Sequence, residues 1–463
     1  MKNLVLLSIL VCALWACQSP QEDPDEKERC PNIILIIGDD QGYPYFGFMG
    51  ADYVQTPHMD SLAASGTLFT KGYVPDNHCR PSLQSLLTGT LPTQYAVASR
   101  QRLADTLAAH EDWSEKTKEE FEREYRFHAM RDVATLPRLL AEKGYASFQG
   151  GKWWEYHYRH GGFTHGMTQG WTPEDRKQGG KWFKQFMGGS GLELVRVGLD
   201  SAYAFIDDHQ DQAFFMWFAP ELPHYPFNAP EKYYDLYRDQ DMSESAKRYY
   251  ANCSWFDEGV GALRKYIREK GLEDNTLFIY INDNGWEQEP HQEFRHDSLR
   301  WHNGGDKGKL SLYDQSFRTP IIFSWKDQII GQVKSKPLLH STDIPATILD
   351  YLGMPIPADY FGRSVKNLIE ESGDEAAGRA VIIGEISQTR SEEDMMGRKL
   401  EGYWLRNAQW FFRWNATDEI KGLFDMEKDP RNDHDLAADY PELVKDFTQQ
   451  INDWRKTMKD ELN

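Results

Sequence analysis

Four segments of the chain are mostly apolar and end abruptly in polar residues. They cover residues 32–37, 145–149, 214–219 and 276–282. The polar residues that follow them are Asp39 and Asp40, then Lys152, then His224, then Asp283 and Asn284. Short apolar runs without alternation predict strands buried on both faces, which is the pattern of a mostly parallel sheet covered by helices. In such sheets ligands bind beyond the carboxyl ends of the strands. Four polar clusters in that one position predict a single site.

Helical periodicity predicts helices over residues 59–65, 82–87, 136–142, 201–207, 245–269 and 342–352. A charged, histidine-bearing stretch over residues 100–131 predicts a peripheral helical insertion. After residue 373 the texture changes. Residues 380–385, 401–406, 409–414 and 422–425 read as short strands of an antiparallel meander, and 441–458 as a helix upon it. The fold class is therefore α/β, a large mixed, mostly parallel sheet flanked by helices, with a smaller C-terminal antiparallel sheet plus helix domain. The chain has 463 residues, which suits this division. The expected organisation is a signal peptide at 1–16, an acidic tether at 17–30, a catalytic domain at 31–372 and a C-terminal α+β subdomain at 373–463.

The first residues are not part of the fold. A short apolar stretch after Lys2, ending in Trp15-Ala16-Cys17, reads as a signal too short to span a bilayer. It resembles a bacterial lipobox, which implies a lipid anchor at Cys17 and a place in the cell envelope, at the outer membrane on its periplasmic or outer surface. An ordinary secretory signal is the alternative. The formal charge of −20 argues against nucleic acid and anionic membrane surfaces as partners. Five cysteines at irregular spacing give neither a disulfide framework nor a zinc site.

Asp39, Asp40, Asp283 and Asn284 offer hard oxygen ligands, suited to Ca²⁺ or Mg²⁺. Cys79 stands just before Pro81, at the start of a helix, where the helix end would acidify a thiol. Lys152, His224 and Lys309 are candidate cationic or proton-transferring groups. Together they would give an acidic protein a positive pocket for an anionic ester.

In order along the chain, Asp39-Asp40, Cys79-Arg80-Pro81-Ser82, Gly151-Lys152-Trp153, Pro223-His224-Tyr225-Pro226, Asp283-Asn284-Gly285 and Gly308-Lys309 resemble the type I sulfatases of the alkaline phosphatase superfamily. The resemblance covers nearly the whole chain after the signal. It implies an alkaline-phosphatase-like fold and hydrolysis of sulfate esters on a carbohydrate, a sulfated poly- or oligosaccharide. It also implies Ca²⁺ held by Asp39, Asp40, Asp283, Asn284 and residue 79. Cys79 would be oxidised to formylglycine by a formylglycine-generating or anaerobic sulfatase-maturing enzyme. The hydrated aldehyde would attack sulfur, Lys152 and Lys309 would stabilise the sulfuryl oxygens, and His224 would serve the leaving alcohol.

Two positions depart from the family pattern. Leu83 stands where an arginine is usual, and Trp154 where a histidine is usual. Arg80, His78, His157, His160 and His165 are the candidates to compensate, with Arg80 and His165 also expected to bind substrate. Two other readings stay open at this point. One is a phosphodiesterase or phosphonate monoester hydrolase on the same scaffold. The other is a catalytically inactive glycan-binding lipoprotein.

Overall fold

The computed structural model describes residues 30–172, 174–178, 180–286, 307–374, 378–387, 400–416 and 419–461. The expected signal, Cys12, Cys17 and nearly all of the tether lie outside the described residues. Thirteen strands follow in chain order: β1 (Asn32–Gly38), β2 (Thr67–Tyr73), β3 (Ala146–Gly151), β4 (His165–Gly166), β5 (Phe214–Ala219), β6 (Thr276–Asn282), β7 (Arg318–Trp325), β8 (Gln332–Lys334), β9 (Leu339–His340), β10 (Val381–Ser387), β11 (Leu400–Asn407), β12 (Trp410–Asn415) and β13 (Lys421–Asp425). The helices are α1 (Pro57–Ala64), α2 (Cys79–Thr88), α3 (Pro92–Ala109), α4 (Glu115–His128), α5 (Leu136–Ala141), α6 (Gly180–Met187), α7 (Asp200–His209), α8 (Glu231–Tyr234), α9 (Glu244–Glu269), α10 (Asp343–Tyr351), α11 (Lys366–Glu370) and α12 (Pro441–Glu461).

The large sheet runs β4-β3-β5-β1-β6-β7-β2-β8, with β9 also on β2. The four strands expected from the apolar runs are β3, β5, β1 and β6. They are adjacent and parallel. β7 is antiparallel to both β6 and β2. Alternate residues of β1 enter different cores. Ile33, Leu35 and Ile37 face one, and Ile34 and Ile36 face the other with Phe256, Val260 and Leu263 of α9. Burial on both faces is the reason β1 lacks polar alternation.

The charged insertion is two helices, α3 and α4, and begins earlier than its charge pattern suggests. The C-terminal meander is β10-β11-β12-β13, all antiparallel. One face packs Phe412 and Trp414 against Phe447 and Ile451 of α12. The other joins the large core, where Trp404 stacks on Phe317 at 4.8 Å. Buried Arg406 of β11 donates to the Tyr73 hydroxyl at 2.8 Å, and that hydroxyl donates to Asp314 at 2.8 Å. This polar link fastens the small sheet to the large one.

Cys30, Cys79 and Cys253 are free thiols. Among the described residues no helix is long and apolar enough to cross a membrane. Arg406→Leu strands the Asp314 carboxylate in the core. We expect about 3–5 kcal/mol of destabilisation, seen as a lower urea midpoint. An unchanged midpoint would show that the link carries no weight.

Candidate active site

Register builds the centre of the site. Gly38 of β1 pairs with Asn282 of β6, so the residues that follow each, Asp39 and Asp283, emerge side by side. On the other flank Asp39 bridges to Pro223, one residue before His224. Gly151 of β3 pairs with Ala219 of β5 and delivers Lys152 to the same edge. Gly151 has φ +96, and a Cβ there would lie 1.9 Å from the Ala219 carbonyl oxygen, so this approach requires glycine. Four neighbouring strands thus place their exit residues in a row. Asp40 turns back with φ 67, a left-handed conformation that aspartate tolerates better than most residues.

Lys152 Nζ donates to both oxygens of Asp39, at 2.6 and 2.8 Å, and lies 3.3 Å from Cys79 Sγ. Lys309 Nζ donates to Asp40 Oδ2 at 2.7 Å. Asn284 Nδ2 donates to Asp40 Oδ1 at 2.5 Å, and the Asp40 amide donates to Asp283 Oδ1 at 3.1 Å. The Tyr249 hydroxyl of α9 lies 2.7 Å from the Asp40 carbonyl and fixes the turn from behind. His224 Nε2 lies 3.7 Å from Asp40 Oδ2. Its Nδ1 lies 2.5 Å from the Tyr225 carbonyl, so Nδ1 carries the proton. Cys79 opens α2. The loop before it is tied down by Asn77 Nδ2 on the Ser311 carbonyl at 3.0 Å, which couples the cysteine's turn to that of Lys309.

The cluster is buried and short of positive charge. Burial raises Asp39 to about 7 against the pull of Lys152 and His224. Burial also raises Asp283, with Asp40 adding to it. Asp40 goes the other way, to about 2, because Lys309, His224 and Lys152 together overcome its burial. Burial and then Lys152 push His224 down to about 4, so the ring is neutral. Lys152 is raised despite its burial, chiefly by Asp39. One expectation is corrected. The Cys79 thiol is raised, not acidified, because burial outweighs Lys152, Lys309 and the helix end.

A divalent cation fits this donor set. Oxygen or sulfur atoms of Asp39, Asp40, Cys79 and Asp283 all lie within 4.8 Å of one another. Asp283 Oδ2 and Asn284 Oδ1 are buried with no hydrogen-bond partner among the described residues. Orphaned acceptors in a buried acidic cluster call for a cation. Among the described residues no imidazole joins the cluster, and the hardness of its oxygens favours Ca²⁺ or Mg²⁺ over transition metals.

A cavity of about 260 Å³ opens over Cys79. It is lined by His78, Arg80, Pro81, Trp154, Phe183, Met187, His224, Lys309 and Leu310 as well as Cys79. Arg80 reaches the cavity but is held by Glu155, with Nε and Nη2 each at 2.9 Å from its carboxylate. Its buried Nη1 has no hydrogen-bond partner among the described residues. Leu83 is buried in the apolar core and offers no charge in place of the arginine. His165 is not brought to the site. It lies exposed on the edge strand β4 against His209, with ring centroids 4.7 Å apart. His157 and His160 pack with each other, His160 also stacks on Tyr156 and His157 packs on Tyr158, and neither lines the cavity. Glu155, Tyr249, Phe183, Met187 and Leu310 were not expected. Only Glu155, close behind Lys152 in sequence, carried a usable signal.

A family model described as Sulfatase matches residues 31–354. Another, described as N-sulphoglucosamine sulphohydrolase, C-terminal, matches residues 305–457. An ulvan-active sulfatase of Formosa agariphila is 22% identical over 480 residues, covering 95% of this chain and 84% of its own. A structure of a protein in complex with its substrate D-glucosamine-2-N,6-O-disulfate aligns with TM-score 0.69 at 19% identity, covering 93% of this chain and 99% of that one. The phosphonate monoester hydrolase of Agrobacterium radiobacter aligns with TM-score 0.63 at 16% identity, covering 92% and 96%. At these identities the two structures speak for the fold alone.

Asp283→Ala removes a carboxylate of the cluster and with it an orphaned acceptor. We expect bound calcium, measured by elemental analysis of the purified protein, to fall from near one per chain to near zero. Full calcium occupancy in this variant would place the cation elsewhere.

Proposed function

The chain belongs to the type I sulfatase family and is a sulfuric ester hydrolase, and we propose that the ester it cleaves is carried by a carbohydrate, a sulfated poly- or oligosaccharide. The observation that carries the reading is the convergence of Cys79, Lys309 and His224 at one cavity, with Lys152 buried against Cys79 beside the acidic cluster. The C-terminal match to a sulphohydrolase of an amino sugar and the relative active on ulvan support a sugar substrate.

Formylglycine at position 79 supplies a hydrated aldehyde as the oxygen nucleophile, and Ca²⁺ held by Asp39, Asp40, Asp283 and Asn284 supplies positive charge beside it. Lys152 and Lys309 are the cations that receive the sulfuryl oxygens. Both ammoniums now lie on aspartates of the cluster, and with those aspartates holding a cation they would be free to turn toward an anion. Arg80 Nη1, without a hydrogen-bond partner among the described residues, adds a donor at the cavity wall and takes the place of the charge missing at Leu83. His224 lines the cavity and is the group that serves the leaving oxygen. The closed, low-dielectric floor strengthens each of these charges.

The maturing partner is a formylglycine-generating or anaerobic sulfatase-maturing enzyme. The pattern at residues 2–17 supports a lipid anchor on Cys17 and a cell-envelope location at the outer membrane. The change of texture near residue 373 supports a catalytic domain over 31–372 and a C-terminal subdomain over 373–463.

Purified protein tested in parallel on sulfated oligosaccharides and on phosphate diesters or phosphonate monoesters should release sulfate from the former and leave the phosphorus esters nearly untouched. Preferential phosphorus-ester cleavage would overturn the reading. His224→Ala should slow sugar sulfates, whose alkoxide leaves poorly, by about a hundredfold or more, and 4-nitrophenyl sulfate far less. Equal losses on both would remove the leaving-group role.

A further inference from the structure

The wall of the cavity that faces away from the charged floor is apolar. Trp154, Phe183, Met187, Pro81 and Leu310 all line it. Phe183 and Met187 stand four residues apart on α6 and so share one face of that helix. Trp154 is braced from behind by Phe186 at 5.0 Å and from the side by Phe183 at 6.2 Å. Lys152 Nζ sits 5.5 Å from the Trp154 ring centroid, so the same indole borders both the cationic floor and the apolar wall.

Leu310 is the telling residue. It follows Lys309 directly, has φ 66 and is 52% exposed. A leucine in the left-handed region is uncommon and costs conformational energy that a glycine would avoid. Exposure of its side chain to water recovers nothing. Phe183, on the same cavity, is 37% exposed although one side of its ring packs on Trp154 and Phe186. Strained conformations persist where function holds them, and exposed apolar groups at a cavity mouth mark where a ligand sits.

Building on the sulfatase reading above, we propose that Leu310 and Phe183 form a clamp over Trp154 for the ring of the alcohol that carries the sulfate, and that this clamp sets substrate specificity. The favoured ester has a flat apolar face next to the sulfated position, as a pyranose or an aromatic ring has. An acyclic or highly charged alcohol would leave the clamp in water. Bare sulfate uses only the floor. The clamp therefore contributes to binding of the ester but not to binding of the anion.

The test measures affinity, not turnover. Binding of 4-nitrophenyl sulfate and of inorganic sulfate is compared by calorimetry on full-length Cys79→Ala protein, alone and with Phe183→Ala or Leu310→Gly added. Leu310→Gly adopts the same φ without strain and controls for folding. We expect the dissociation constant of the aryl ester to rise about tenfold in each added variant, with that of inorganic sulfate unchanged. Unchanged aryl-ester affinity, equal weakening of both ligands, or an aryl ester bound no tighter than bare sulfate before the clamp is cut would each overturn the clamp. Sulfate release from sulfated oligosaccharides by the wild-type protein tests the sulfatase reading separately, since its absence would sink that reading whatever the affinities show.

Discussion

The parallel register of β1 with β5 and β6 is the constraint on which the chemistry of this protein depends. Neighbouring strands lie about 4.8 Å apart, so pairing Gly38 with Asn282 leaves Asp39 and Asp283 almost no freedom to separate. The same sheet sets Lys152 against Asp39 from two strands away. Slipping β6 by one residue would turn its apolar set against the wrong core and carry Asp283 out of reach. The cores on both faces of β1 thus hold the site as firmly as its own hydrogen bonds do.

That arrangement confines three buried carboxylates with two ammoniums at the floor of the cavity. Buried like charges are costly unless paired, and the upward shifts of Asp39 and Asp283 express the shortage of positive charge. A divalent cation would resolve the shortage, and in the function proposed above it would release two lysines for work on an anion, so that a chain of charge −20 could hold an anionic ester. The stability of the fold and the affinity for the cation are therefore linked, since what binds only the folded state stabilises it.

Much of this was legible in the sequence, for definite reasons. β1, β3, β5 and β6 announce themselves because both of their faces are buried, and their polar exits follow directly. β2 and β7 do not. β2 is interrupted by Lys71 and Gly72 at a break in its register, and β7 begins Arg318-Thr319-Pro320, where a proline weakens the strand signal. The paired glycines before His165 serve a turn, with Gly162 at φ +84 and no room for a Cβ at Gly161 beside Trp153. Acidification of Cys79 by a helix end was sound for an exposed thiol, and burial reversed it. Phe183 and Leu310 left no trace, because an apolar clamp gathered from separate segments has no local pattern.

What Cys79 becomes decides the account. Its raised thiol is a poor nucleophile as it stands, and the cluster beside it is built for an oxygen on a cation. The direct measurement is the mass of the tryptic peptide containing residue 79, from protein made in its native host. The account predicts loss of one sulfur and two hydrogens with gain of one oxygen at that residue. An unmodified thiol in a preparation that fully hydrolyses sulfate esters would contradict it.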